Sequence, residues 1–228
     1  MKAVIFDMDG VIVDSEPIWI ASKQQMLREQ GIEVPDAYHH QLFGMTLRTM
    51  WTKIQADFNL PLSVDACITR GEAIRQAMRK DLPVKSIPGS IILIQRLFEA
   101  GIPLAIASSS SNKDIALAVD ALGIRPYFQV LVSGEDCARS KPFPDVFLKA
   151  ADALGVKPET ALVIEDAVNG VKAAKAAGMV CLGFENPAFT KQDLREADGI
   201  SRDLSLLTIE QCQRILVKSR NKPVKALV

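Results

Sequence analysis

Five short apolar runs constrain the fold of this chain more than any other feature: AVIF at 3–6, PLAIA at 103–107, VLV at 130–132, ALVI at 161–164 and VCLGF at 180–184. They do not alternate with polar residues. Each must therefore be covered on both faces, which is the condition of a strand inside a parallel sheet. Helix-period segments lie between the runs, and each halts at a glycine. IILIQRLFEA precedes Gly101, KDIALAVDAL precedes Gly123, DVFLKAADAL precedes Gly155 and AVNGVKAAKAA precedes Gly178. A glycine just past a helix end takes the left-handed conformation at little cost. Strand, helix, glycine, strand is the rhythm of a doubly wound, Rossmann-like α/β fold with a parallel sheet.

One block breaks that rhythm. Between 15 and 86 no segment reads as a strand. Ser15 with Pro17 marks a helix start, and that helix is expected to end near Gly31. Thr46 and Ser63 are further candidate N-caps. TLRTMWTKIQADF and VDACITRGEAIRQAMRKDL carry apolar residues at helical spacing, among them Leu47, Met50, Trp51 and Ile54 in the first. The expected organisation is an α/β core over 1–14 and 87–217, an inserted all-helical cap domain over 15–86, and a basic tail over 218–228 that frays around Pro223.

Charge excludes some functions. Lys+Arg and Asp+Glu both number 27, so nothing draws the chain to nucleic acid or an anionic membrane. Cys67, Cys137, Cys181 and Cys212 are widely separated and form no metal-site or disulfide pattern, which points to reduced core thiols. The N-terminus runs straight into the first strand, without signal-peptide character. No apolar run approaches the ~20 residues of a membrane span. A soluble, cytoplasmic protein is the expectation, with a monomer as the default.

The first strand ends in Asp7 and Asp9, inside FDMDGVIVDSEP. Glu165 and Asp166 follow the fourth run. Four hydroxyls, Ser108 to Ser111, follow the second, and SGEDCARS leads from the third to Lys141. In a parallel α/β sheet, ligands bind at the carboxyl ends of the strands. Clustered carboxyls cannot all stay ionised alone, and a hard divalent cation, Mg²⁺ foremost, resolves their repulsion. A helix N-terminus with serines, together with a lysine, suits an anion. Anion, cation and carboxylates together indicate a phosphate ester. One aspartate of the first pair can then attack phosphorus, while the other exchanges protons with the leaving group and with water.

FDMDGVIVDSEP, IASSSS, SKPFPDVF and VIEDAVNG resemble, in order, the four motifs of the haloacid dehalogenase superfamily. The helical insert stands where the beta-phosphoglucomutase-like sugar-phosphate phosphatases carry their cap. The resemblance implies an Mg²⁺-dependent phosphatase acting on small sugar phosphates through an aspartyl-phosphate. It makes Asp7 the nucleophile and a metal ligand, and Asp9 the general acid/base with its carbonyl on the metal. Ser108 binds the transferring phosphoryl group, helped by the Ser109 backbone N–H. Lys141 offsets charge between nucleophile and phosphoryl, and Asp166 is a metal ligand. Glu165 matches a further acidic ligand that in some members does not touch the metal. Ser109 and Asn112, with Gly44, Arg48 and Trp19 of the insert, form the expected substrate-binding set.

Competing readings are weaker on particular residues. A calcium loop would need glycine where Ile12 stands. His39 and His40 point too far apart on a helix to share an ion, and are expected at the surface or partly buried. Asp9 argues against dehalogenation, since halide leaves without a proton. Lys23 and Lys53 fall in no phosphonatase motif. Beta-phosphoglucomutase is the main alternative, but its members carry histidine where Trp19 stands and arginine where Leu47 stands. A non-catalytic phosphosugar-binding protein would be expected to lack Asp7, Asp9 or Lys141.

Overall fold

The computed structural model describes residues 1–42, 45, 47–81, 83–186 and 192–220, with backbone only at 40, 79–81 and 218–220. It divides into two compact units, Met1–Asp14 with Lys85–Val228, and Ser15–Val84.

The first unit begins with β1 (Ala3–Phe6). The second unit then supplies α1 (Glu16–Arg28), α2 (Asp36–His40), α3 (Leu47–Phe58) and α4 (Val64–Asp81). The first unit resumes with α5 (Ser90–Glu99), β2 (Leu104–Ser108), α6 (Asn112–Ala121), β3 (Val130–Ser133), α7 (Asp145–Ala153), β4 (Ala161–Glu165), α8 (Val168–Ala176), β5 (Val180–Phe184), β6 (Gly199–Ser201) and α9 (Ile209–Arg220).

The six strands form one sheet in the order β3-β2-β1-β4-β5-β6, and every neighbouring pair is parallel. All four residues of β1 are fully buried, as the unbroken apolar run requires. Ile5, Ala105, Val163 and Cys181 share a core with Phe147 and Ala150 of α7 and with Ala173 and Ala174 of α8. Val4, Leu104 and Leu162 are as deeply buried, so the other face of the sheet is covered too. There Phe128 meets Phe6 edge-on with ring centres 6.0 Å apart.

The strand order reverses beside β1, because the chain runs outward through β2 and β3 and then crosses to β4 on the other side of β1. Such a switch point opens a crevice at the carboxyl ends of the strands. Asp7 extends the ladder by one step, its N–H donating to Ile164 O at 2.9 Å.

Several sequence expectations shift by small amounts. β2, β3 and β4 run to Ser108, Ser133 and Glu165, so a polar residue closes each strand. β6 carries no sequence signal, being three residues with one large apolar side chain. Lys85 and Ser86, expected in the insert, belong to the first unit. Asp14 N–H donates to Lys85 O at 2.9 Å, and Ser86 bridges Val13. The expected tail begins inside α9, which continues through Arg220, and 221–228 lie outside the described residues.

Trp51, Met26, Leu27, Ile54 and Ile74 build a core of the second unit's own. Gly71 admits the Trp51 ring, since a Cβ there would lie 2.8 Å from Cζ2. Ser63 caps α4 through Ala66 N–H at 3.2 Å, whereas Ser15 precedes α1 without a side-chain cap bond. Thr46 lies outside the described residues. His39 is fully buried, against the expectation of a surface or partly buried ring, with Tyr38 edge-on at 6.0 Å. It belongs to no metal-ligand cluster among the described residues.

Candidate active site

Three strand ends meet around one ammonium group, which the loop after β3 supplies. Lys141 Nζ donates to Asp7 Oδ1 at 2.6 Å, to Glu165 Oε1 at 2.8 Å and to Ala107 O at 3.3 Å. Its position is fixed locally, because Arg139 pairs with Asp145 at the start of α7 at 2.7 Å and Phe147 lies under the ammonium at 4.7 Å. All three ionic side chains are at most 9% exposed, so the pairing is screened little by solvent.

Asp7, Glu165 and Asp166 each place a carboxylate oxygen within 4.8 Å of the other two. Burial pushes the Asp7 carboxyl up from 3.8 to about 7; Lys141 opposes this, while Glu165 and Asp9 add to it. Burial likewise raises Asp166 well above its ordinary value, and Glu165 and Asp7 raise it further. For Lys141, burial disfavours the charge, but Asp7 and Glu165 outweigh it and hold the ammonium above its usual range. One lysine does not neutralise this cluster. Buried oxygens that close together are chemically suited to a hard divalent cation.

Two glycines create the space. A Cβ on Gly10 would fall 2.0 Å from Asp166 Oδ2, and Gly10 also has φ +84°, in the left-handed region. A Cβ on Gly170 would fall 1.6 Å from Glu165 Oε1. Gly170 lies inside α8, where alanine normally gains about 1 kcal/mol over glycine. Here the sign is expected to reverse. Gly170→Ala should destabilise the fold by about 1–3 kcal/mol through overpacking, and displace Glu165 from Lys141. Thermal denaturation reads the sign directly, and a more stable variant would contradict this packing.

Asp9 lies two residues beyond Asp7, in a loop closed by Gly10 N–H to Val13 O at 2.9 Å and Ile12 N–H to Met8 O at 2.8 Å. Its Oδ2 accepts from Ser110 Oγ at 2.6 Å and lies 3.5 Å from Ser108 Oγ. Asp9 Oδ1 is buried without a hydrogen-bond partner among the described residues.

The cluster thus brings together Asp7, Asp9, Ser108, Lys141, Glu165 and Asp166. Glu165 spends both oxygens locally, Oε1 on Lys141 and Oε2 on Ala167 N–H at 2.8 Å. Ser109 is exposed, and Gly134 gives it room, since a Cβ there would lie 3.2 Å from Ser109 Cα. Asn112 turns toward the loop after β3, its Nδ2 donating to Asp136 Oδ1 at 3.1 Å. In the second unit, Arg48 pairs with Asp65 at 2.5 Å on the surface, and the Arg75 guanidinium stacks 3.6 Å over the Trp19 ring. Gly44 lies outside the described residues.

Sequence reasoning missed Ser110, Gly170 and the buried Asn186, whose Nδ2 lies 3.5 Å from Gly10 O. A glycine in the first turn of a helix, five residues after Glu165, was a usable signal for close approach. Asn186 had none. A cavity of about 860 Å³ lies elsewhere, beside β6 and α9, lined by Leu182, Ile200, Leu206, Arg202 and Arg214. It contains none of the clustered carboxylates.

Residues 4–184 match the family model described as haloacid dehalogenase-like hydrolase. Hexitol phosphatase A of Escherichia coli (strain K12) is 34% identical over 91% of this chain and 94% of its own length. A phosphorylated carbohydrates phosphatase of Thermotoga maritima is 29% identical over 78% of this chain and 82% of its own. The crystal structure of beta-phosphoglucomutase from Clostridium difficile aligns with a TM-score of 0.78 at 23% identity, covering 96% of this chain and 99% of that one. At that identity the likeness speaks for the fold alone. The family match begins within β1 and ends with β5, so it takes in every strand end of the cluster, and on that ground the chain belongs to the haloacid dehalogenase-like hydrolases.

Proposed function

We propose that the chain is an Mg²⁺-dependent phosphatase of small phosphate monoesters, sugar phosphates foremost, working through an aspartyl-phosphate on Asp7. The observation that carries this is the bridge of Lys141 between Asp7 and Glu165, set beside Asp166 and within reach of Asp9. The two phosphatases named above support the substrate class. A monomer acting in the cytoplasm is part of the proposal. The four free thiols fit a reducing compartment, and no helix among the described residues is long and apolar enough to cross a membrane.

Asp7, Asp166 and the Asp9 carbonyl are assigned to the cation, with Glu165 holding Lys141 beside it. When bound, the cation offsets carboxylate repulsion and the charge of the phosphoryl oxygens. The Asp7 carboxylate attacks phosphorus, and the bond from phosphorus to the sugar oxygen breaks. Asp9 gives its proton to that departing oxygen. Asp9, now ionised, takes a proton from water as the water oxygen attacks phosphorus, and the bond to Asp7 breaks to release phosphate. Lys141 and Ser108 hold phosphoryl oxygens through both displacements. Asn112, Ser109, Trp19, Arg48 and Gly44 remain proposed substrate contacts.

The test is phosphate release from a panel of sugar phosphates, with and without Mg²⁺. Beta-glucose 1-phosphate with a trace of the bisphosphate is followed in parallel for glucose 6-phosphate. Mg²⁺-dependent release from several hexose phosphates supports the reading. Isomerisation without release would make the chain a mutase.

Proton binding provides a second check. The folded Asp7 carboxyl titrates near 7 against an ordinary 3.8, so folding favours its protonated form. In metal-free protein that contribution is complete below the ordinary value and is lost as pH rises through about 7. Mg²⁺ competes with the same proton. The rise in melting midpoint on adding Mg²⁺ is therefore expected to be larger at about pH 8 than at about pH 5.5. A shift independent of pH would remove Asp7 from the cation site.

A further inference from the structure

The four consecutive serines after β2 do different work. Ser108 is buried at the strand end, and Ser109 is exposed. Ser111 caps α6, its Oγ accepting from Asp114 N–H at 3.1 Å. Ser110 makes the short bond to Asp9 Oδ2, at 2.6 Å against 3.5 Å for Ser108 Oγ.

Ser110 is itself fixed on two sides. Its N–H donates to Ser108 Oγ at 3.0 Å, and its carbonyl accepts from Ser133 Oγ at 2.7 Å. Ser133 is fully buried and closes β3. The ends of two neighbouring strands thus set where the Ser110 hydroxyl lies. That hydroxyl occupies Asp9 Oδ2 and leaves Oδ1 as the buried oxygen with no partner among the described residues.

We propose that Ser110 is a positioning residue that locks the Asp9 carboxyl through Oδ2, so that Oδ1 carries the exchanged proton in both displacements. This rests on the phosphatase reading above. A hydroxyl donating to Oδ2 disfavours a proton there, so the neutral acid carries it on Oδ1. In the first displacement the Oδ1–H bond breaks, and the proton passes to the departing sugar oxygen as its bond to phosphorus breaks. The Ser110 hydroxyl then stabilises the carboxylate left behind. In the second, Oδ1 takes the proton of the attacking water as the phosphorus bond to Asp7 breaks. Without Ser110 the carboxyl is free to rotate, and Oδ1 faces the reacting oxygen only part of the time.

The experiment compares wild type, Ser110→Ala and Ser110→Thr on two substrates. One is the best hexose phosphate from the panel, whose alkoxide needs a proton to leave. The other is para-nitrophenyl phosphate, whose nitrophenolate leaves without one. Ser110→Ala is expected to lower kcat on the sugar phosphate by about 10- to 100-fold, part of the range for general acid–base catalysis, with KM changed less than about twofold. On para-nitrophenyl phosphate it should give a fast burst of nitrophenolate equal to the enzyme present, followed by slow turnover, because only the second displacement still needs Asp9. Ser110→Thr keeps the hydroxyl and should restore most of kcat and abolish the burst.

A raised KM with kcat retained would mean that Ser110 binds substrate rather than Asp9, and would overturn the proposal. So would an unchanged kcat, or a loss that threonine does not rescue. If alanine fails to fold, Ser133→Ala, which frees the Ser110 carbonyl, is expected to give the same burst in weaker form, and its absence overturns the proposal. Wild-type protein that releases no phosphate from any substrate would overturn the phosphatase reading itself, and that is seen before any variant is made.

Discussion

Asp7→Asn is expected to lower kcat by on the order of 10⁴-fold or more, with the fold preserved. The amide keeps the shape of the side chain but cannot open the route through a covalent phosphoryl-enzyme. Its structural cost should be small, because Lys141 retains Glu165 at 2.8 Å and Ala107 O at 3.3 Å. Asparagine also removes a buried acid whose carboxyl is held up at about 7 by burial first, with Glu165 and Asp9 adding to it. Steady-state release of phosphate, with circular dichroism on the same sample, checks both halves. Retained turnover would take the nucleophile's role from Asp7.

Lys141→Met should have the opposite balance, with heavy losses in both activity and stability. Methionine matches the stem but leaves Asp7 and Glu165 buried without their cation. Removing one partner of a buried pair costs about 3–5 kcal/mol, or roughly 6–20 °C in melting midpoint for a chain of this size. Because Asp7 can escape repulsion by taking up a proton, the deficit in metal-free protein should be smaller at about pH 6 than at about pH 8. Phosphate release should fall at least as far as for loss of a charged oxyanion contact, about 10²–10³-fold. A variant as stable as wild type at both pH values would show that the bridge contributes nothing to the fold.

What could be read in advance follows from which forces act locally. The core strands are legible because burial on both faces leaves an unbroken apolar run, as in Ala3–Phe6. The six residues of the cluster are legible because each ends or follows such a run, and parallel strands carry their ends to one edge. β6 is not legible, since Gly199–Ser201 is set by pairing with β5 and not by its own composition. Ser110 is hidden for another reason. Four adjacent hydroxyls look alike in sequence, and only the ends of β2 and β3 decide which of them turns to Asp9. The Glu165–Lys141 pair lies deeper still, because it depends on the missing Cβ of Gly170. His39 shows the limit of residue type, since a polar ring can be fully buried beside an aromatic neighbour.

The place of β1 in the middle of the sheet bears on how the protein is made. It leaves the ribosome before both of its sheet neighbours, and one of them, β4, follows more than 150 residues later. Its partners are Leu104–Ile106 of β2 and Ala161–Ile164 of β4. Lys141 meets Asp7 across 134 residues of chain, and Ser110 meets Asp9 across 101. Contacts so distant in sequence slow folding, because the intervening loop must close before they form. The helices of Ser15–Val84 have a core of their own and can condense while the apolar β1 still waits. A nascent chain arrested before residue 161 would therefore expose a greasy N-terminal strand and no complete acidic cluster, a form suited to chaperone capture and unable to hold a metal.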